Sequence, residues 1–327
     1  MRGVPEIDIG PLLAGSSATR AVAQALDLAC RDVGVFYLFG HGVDPELRAS
    51  LQSLARQFFT LPEAEKSEIA MARAGAAWRG WFPVGGELTS GVPDLKEGLY
   101  FGAELDEDNP RVRSGTPLHG QNLFPCRPAE LREVVLAYID EMTRVGQGVL
   151  SGIALGLGLE PDFFASGLTA DPLVLFRIFC YPAPSATADQ WGVGQHTDYG
   201  LLTLLGQDAN SGLQVRTPQG WAAVEPRAGS FVCNLGDMLE RLTGGMYRST
   251  PHRVRNATGA DRLSFPFFLD PSWDSTIDPL PIVDRPADAD GAERWDHTSV
   301  HGYAGTYGEY VLAKVGKVFP DLRRQHS

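Results

Sequence analysis

Apolar side chains recur at three- and four-residue steps between positions 16 and 32, behind Ser16 and Ser17, and this spacing predicts a serine-capped amphipathic helix. The pattern then changes to an unbroken apolar run from Val33 to Phe39, closed by Gly40, which predicts a buried strand. Asp44-Pro45 is a cap followed by a first-turn proline and predicts a helix reaching Phe58 and Phe59, with another starting near Pro62. From Ala70 to Pro93 glycine, tryptophan and arginine replace any period, which predicts a mobile loop whose aromatics serve as a lid or pocket wall. Leu95 to Phe101 is strand-like, and residues 106–127 read as a long polar loop. Pro128 opens the longest predicted helix, with Leu131, Val135, Tyr138 and Met142 at helical spacing towards Leu155.

After Asp171 the texture becomes β-rich, in short runs punctuated by Gly, Pro, Asn and Asp: Leu173–Tyr181, Leu201–Gly206, Gly212–Arg216, Trp221–Val224, Ser230–Asn234, His252–Val254 and Arg262–Leu269. A short helix around Asp237–Leu242 interrupts them, and Ser299 to Phe319 reads as a C-terminal helix weakened by Gly302, Gly305 and Gly308. The prediction is an α+β protein with a jelly-roll core, that is, two packed sheets. An N-terminal mixed region, residues 1–125, would pack on a core domain of residues 126–327 as one compact unit.

Composition narrows the function. The formal net charge is −12 and no basic cluster interrupts it, with Lys314, Lys317, Arg323 and Arg324 reading as a solvated helix face and tail. Nucleic acid is therefore not an expected partner, because phosphate affinity needs concentrated positive charge. The four cysteines are scattered without C-x-x-C spacing, as expected of reduced thiols rather than a zinc knuckle or disulfide scaffold. No apolar run of about 18 residues suggests a membrane span. The expected setting is soluble and cytoplasmic, and the expected partner is a small molecule.

The candidate chemistry lies in Gln195-His196-Thr197-Asp198-Tyr199-Gly200, Ser249-Thr250-Pro251-His252 and Arg262-Leu263-Ser264. In an extended strand residues two apart share a face, so His196 and Asp198 would project together, as would Arg262 and Ser264. Two imidazoles (His196, His252) and one carboxylate suit the facial triad of non-haem Fe(II) oxygenases, which leaves coordination positions open. Structural zinc would want four ligands, and a zinc hydrolase would need a general base that neither segment offers. An arginine fork beside a hydroxyl suits the far carboxylate of a dicarboxylate co-substrate. Asn234, Gly236 and Asp237 read as a turn and helix cap, and Arg253 as a structural charge.

The order H-T-D-Y-G, S-T-P-H-R-V and R-L-S-F-P-F-F resembles the isopenicillin N synthase-like branch of the Fe(II)/2-oxoglutarate-dependent oxygenases, as do Val4–Asp8, Gly34–Val43, Asn234–Met238 and Tyr307–Tyr310. The likeness covers most of the chain. It implies a double-stranded β-helix, Fe(II), 2-oxoglutarate as co-substrate, O2, and stimulation by ascorbate. It also implies that Tyr181 reaches a co-substrate carboxylate, although Phe179 stands where many plant members carry Asn. The implied reaction couples 2-oxoglutarate decarboxylation to hydroxylation, desaturation or cyclisation of a small organic substrate. A 2-oxoglutarate-independent oxidase, an ethylene-forming type and an inert binding relative are the alternatives. Expected pocket residues are Arg177, Phe179, Trp78, Arg79, Trp81, Tyr100, Gln214 and Phe267. Arg177 is either paired with an interior acid or aimed at a substrate carboxylate.

Overall fold

The computed structural model describes residues 3–183, 191–283, 294, 297 and 299–319. Strand β1 (Glu6–Asp8) leads into helices α1 (Gly10–Leu13) and α2 (Thr19–Asp32), whose apolar stripe of Val22, Leu26, Ala29 and Cys30 is buried. After β2 (Val35–Phe39) comes α3 (Pro45–Phe59), capped by the Asp44 side chain accepting from Glu46 N at 2.8 Å, and then α4 (Glu63–Lys66). Strands β3 (Gly80–Phe82) and β4 (Glu97–Gly102) precede α5 (Pro110–Arg113) and the long α6 (Leu131–Gly156). Next come β5 (Pro172–Tyr181), β6 (Val193–His196), β7 (Leu202–Gln207), β8 (Leu213–Thr217), β9 (Gly220–Ala223) and β10 (Phe231–Leu235). Helix α7 (Asp237–Leu242), strands β11 (His252–Val254) and β12 (Arg262–Ser272) and helix α8 (Tyr307–Val318) complete the order.

The strands form two sheets, one in the order β1-β2-β10-β7-β12-β5-β4-β3 and the other β6-β11-β8-β9. The N-terminal strands thus extend both edges of the large sheet. Helix α6 packs on one side of that sheet, against β5, β7 and β12, with α2 and α3 beside it. Gly146 allows the close approach, since a Cβ there would meet Leu269 at 2.8 Å. The other face of the large sheet looks across a cavity to the small sheet. No described helix is long and apolar enough to cross a membrane.

Several expectations need correction. Helix α2 starts at Thr19 behind Ala18 with no side-chain cap bond, so neither Ser16 nor Ser17 caps it. The stretch from Ala70 to Pro93 is not a free loop: β3 pairs with β4, and Trp78, Arg79, Trp81 and Phe82 are all buried. A three-residue strand is too short to show alternation, and its glycine flanks imitate a loop. The C-terminal helix begins at Tyr307, after a capping box of Thr306 and Glu309, so residues 299–306 are not helical. Lys314 is not on a solvated face; it is buried, with its ammonium 5.2 Å from the Tyr310 ring. Arg323, Arg324 and His326 lie outside the described residues.

Candidate active site

The cross-strand register builds the centre of the site. His252 on β11 pairs directly with His196 on β6, which sets the two imidazoles 4.2 Å apart, centroid to centroid. Asp198 does not share a strand with His196, because β6 ends at His196. Asp198 comes in from the following loop, held where its carbonyl accepts from Asp237 N at 2.8 Å. Its Oδ1 lies 3.9 Å from His196 Nε2 and 3.7 Å from His252 Nε2. One ligand atom from each residue falls within 4.8 Å of the others, a spacing that could hold a metal ion.

Each donor is oriented by a neighbour. His196 Nδ1 lies 2.8 Å from Gly194 O and His252 Nδ1 lies 3.0 Å from Thr250 O. Those carbonyls hold the protons on Nδ1, leaving each Nε2 a free lone pair. Thr203 Oγ1 (2.5 Å) and Asn234 Nδ2 (2.7 Å) both donate to Asp198 Oδ2, which leaves Oδ1 facing the imidazoles. Burial, then the neighbouring His252, pushes His196 down to about 3, so its ring is neutral and ready to ligate. Burial pushes Asp198 upward, but the two imidazoles and the Thr203 and Asn234 hydrogen bonds outweigh it and keep the carboxylate charged. A neutral His196 imidazole, the His252 imidazole and one ionised oxygen fit Fe(II).

Across the cavity Arg262 is completely buried on β12, opposite Tyr181 of β5. Its Nη2 donates to Gln207 Oε1 (2.9 Å) and its Nε to Asn210 O (3.2 Å), while Nη1 is buried without a hydrogen-bond partner. An orphaned guanidinium nitrogen in a cavity wall calls for an anionic acceptor. Ser264 lines the same wall and hydrogen-bonds the Tyr181 hydroxyl. The fork, the hydroxyl and the phenol together fit a carboxylate such as the far end of 2-oxoglutarate.

The third wall holds the expected Arg177 and Phe179, and the 70–93 stretch does reach it, through Glu87 and Thr89 rather than through its aromatics. Glu87, Thr89 and Lys96 line the cavity beside Arg177 and Phe179. Lys96 Nζ pairs with Glu87 at 2.8 Å and also with Asp94, while Thr89 Oγ1 donates to Asp94 at 2.7 Å. Burial raises Asp94 to about 6 against the pull of Lys96. Arg177 Nη1 is 3.7 Å from Glu87, and its guanidinium lies over the Tyr100 and Phe268 rings at 4.2 and 4.8 Å. Its Nε is buried without a hydrogen-bond partner. Arg177 thus meets an interior acid, lines the cavity and keeps one donor unused.

Several expected pocket residues lie elsewhere. Phe267 and Gln214 fall on the wrong parity of their strands: Pro266, Phe268, Leu213 and Val215 face the cavity instead. Phe267 is fully buried on the helix side, and Gln214 accepts from Arg253 Nε at 2.9 Å, where Arg253 lies between Trp191 and Trp221. Trp81 donates to Glu97 (2.8 Å) and Tyr100 to Glu87 (2.6 Å), both outside the cavity lining. Trp78 and Arg79 border a separate small gap. Asn234 sits in β10 rather than a turn. Its position two residues before Gly236-Asp237 gave no sign that it would reach Asp198, 36 residues away in the chain. Glu87 and Lys96 carried no sequence signal, since their meeting depends on the β3–β4 edge and the segment between.

Residues 4–127 match the family described as non-haem dioxygenase in morphine synthesis N-terminal, and residues 171–271 match the 2OG-Fe(II) oxygenase superfamily. A Dictyostelium discoideum protein named "Probable iron/ascorbate oxidoreductase" is 46% identical over 93% of this chain and 90% of its own. A homoarginine-6-hydroxylase of Arabidopsis thaliana is 36% identical, covering 96% of this chain and 97% of its own. A 1-aminocyclopropane-1-carboxylate oxidase of Dictyostelium discoideum is also 36% identical, over 97% and 95%. Among solved structures, a full-length Neurospora crassa protein in complex with alpha-KG and thymine superposes with a TM-score of 0.79 at 26% identity, covering 96% of each chain. With its jelly-roll sheets, its His-Asp-His cluster and these relatives, the chain belongs to the 2OG-Fe(II) oxygenase superfamily, as an iron- and 2-oxoglutarate-dependent dioxygenase.

Proposed function

We propose that the protein hydroxylates a small amino acid, with His196, Asp198 and His252 holding the iron and Arg262, Ser264 and Tyr181 holding the 5-carboxylate of 2-oxoglutarate. Bound iron and 2-oxoglutarate supply the oxidising power: O2 is consumed, 2-oxoglutarate becomes succinate and CO2, and the second oxygen atom goes to the substrate. The protein's own residues orient the reactants and exclude water. Because Gln207 and Asn210 hold two nitrogens of Arg262, little reorganisation accompanies carboxylate capture.

The observation that carries the substrate class is the Glu87–Lys96–Arg177 wall, where a buried carboxylate, the buried Lys96 ammonium and the part-buried Arg177 guanidinium face one cavity. Arg177, with its spare Nε, suits the substrate carboxylate, and Glu87 suits the ammonium. The relatives named for homoarginine and for 1-aminocyclopropane-1-carboxylate, both amino acids, support the same class. Succinate release measured across a substrate panel tests it. Free amino acids should stimulate turnover, while their N-acetyl and carboxamide derivatives should not. Equal stimulation by neutral phenolics or by plain carboxylic acids would overturn the amino-acid reading and leave the dioxygenase assignment standing.

A further inference from the structure

A second, larger cavity of ≈ 570 Å³ lies apart from the iron site, lined among others by Arg79, Asn109, Arg111, Thr116, His119 and Trp273. Its size is that of a small-molecule site. Its charges are unequal in kind. Arg111 is already answered by the exposed Asp274 at 3.0 Å and Asp171 at 3.5 Å. His119 is kept towards neutrality by burial, and its Nδ1 lies 2.9 Å from Pro117 O. Arg79 is different: it is 2% exposed, donates from Nη2 to Leu118 O at 2.7 Å, and its Nε is buried without a partner. Among the described residues no carboxylate comes within ion-pair distance of it. Glu104, an acid in its neighbourhood, is engaged by Arg132 (2.8 Å) and Asn122 (2.7 Å). A buried cation without a counter-ion is costly unless something supplies the negative charge.

The surroundings say where that charge belongs. Arg79 and Leu118 border both this cavity and a gap of ≈ 10 Å³, and Leu175 and Arg177 border both the gap and the iron cavity. The gap has room for about one water. Trp78, Tyr100 and Phe319 wall it, so a carboxylate anchored on Arg79 would rest at the outer end of a closed constriction. We propose that the outer cavity is a second binding site, for a small carboxylate, with Arg79 as its charge anchor.

The test uses protein loaded with metal and saturating 2-oxoglutarate under anaerobic conditions, so that Arg262 is occupied, and titrates benzoate by calorimetry. Benzoate should bind the wild type, bind roughly ten- to a hundredfold more weakly to Arg79→Gln, and be largely restored in Arg79→Lys. 2-Oxoglutarate affinity should be unchanged in Arg79→Gln. Should that variant fail to fold, Ser114→Trp fills the exposed mouth of the cavity without touching the anchor and should abolish benzoate binding. Crystals of the loaded protein soaked in 4-bromobenzoate should show the bromine anomalous peak among Asn109, Thr116 and Trp273. A peak beside Arg177 or Arg262, or undiminished benzoate binding in Ser114→Trp, would overturn the proposal. These outcomes do not depend on which amino acid is hydroxylated.

Discussion

The two charged walls of the iron cavity solve the same problem in opposite ways. On the β12 wall, Arg262 is held by neutral acceptors, the Gln207 amide and the Asn210 carbonyl, and its full charge is left for a ligand. On the wall between β3, β4 and β5, Lys96 is shared by Glu87 and Asp94, and Arg177 leans on Glu87 and two aromatic rings. A charge held only by dipoles binds one anion strongly. A self-compensating cluster binds weakly but discriminates, because a ligand must match both signs at once. On the function proposed above, the first wall takes the co-substrate and the second takes the substrate.

The largest effect should come from the centre between the walls. Asp198→Ala and His252→Ala should each lower succinate formation roughly a thousandfold or more, with bound iron lost in parallel, as read by metal analysis of the purified variants. Near-normal turnover in either would remove the metal centre from the description. The walls themselves separate next. Arg262→Gln should raise the KM for 2-oxoglutarate roughly ten- to a hundredfold, while Arg177→Gln should leave that KM in place and raise the KM for the amino acid. If both variants move the same constant, the division of labour between the walls is wrong.

Strand parity gives a sharper contrast on a smaller scale. Phe267 is fully buried on the helix face, so Phe267→Ala should cost about 3–5 kcal/mol of stability and leave both KM values alone. Phe268 faces the cavity under Arg177, so Phe268→Ala should chiefly change substrate KM. Thermal unfolding set beside steady-state kinetics decides between them.

The smallest effect concerns Asp270, also on the cavity face of β12, whose carboxyl burial pushes up to about 7 while the Tyr307 hydroxyl partly opposes the shift. Its ordinary value is near 3.8, so the folded state holds a proton that the unfolded state has released between about pH 4 and 7. This group's contribution to stability therefore falls as pH rises through that window. In metal-free protein, Asp270→Asn should gain in Tm relative to wild type between pH 5 and pH 8. A constant difference would mean that the carboxyl ionises normally.

Much of the site could be read in the chain because it is local or periodic. The i and i+2 relation placed Arg262 and Ser264 on one face, and in the folded chain the even positions from 262 to 270 line the cavity. The same parity, applied to the whole strand, excludes Phe267. The His196–Asp198 pair came to the right place for the wrong local reason: the strand stops at His196, and a loop carries Asp198 round. The Ala70–Pro93 stretch misled because its glycines permit close packing rather than freedom of motion; a Cβ on Gly80 would meet Ile69 O at 2.2 Å, and one on Gly86 would meet Phe82 at 3.2 Å.

The jelly-roll texture, the long supporting helix, and the His196/Asp198 and Arg262/Ser264 pairings were legible in the chain, because each follows from residue type at short spacing, whereas His252 came in through the order of the motifs. It took the folded chain to show that Asn234 and Thr203 orient Asp198, that Gln207 holds Arg262, and that Glu87, Lys96 and Arg177 share one wall. Those relations join residues from different strands and loops through register and sheet order, and register is set by how two faces pack together, which no single segment encodes.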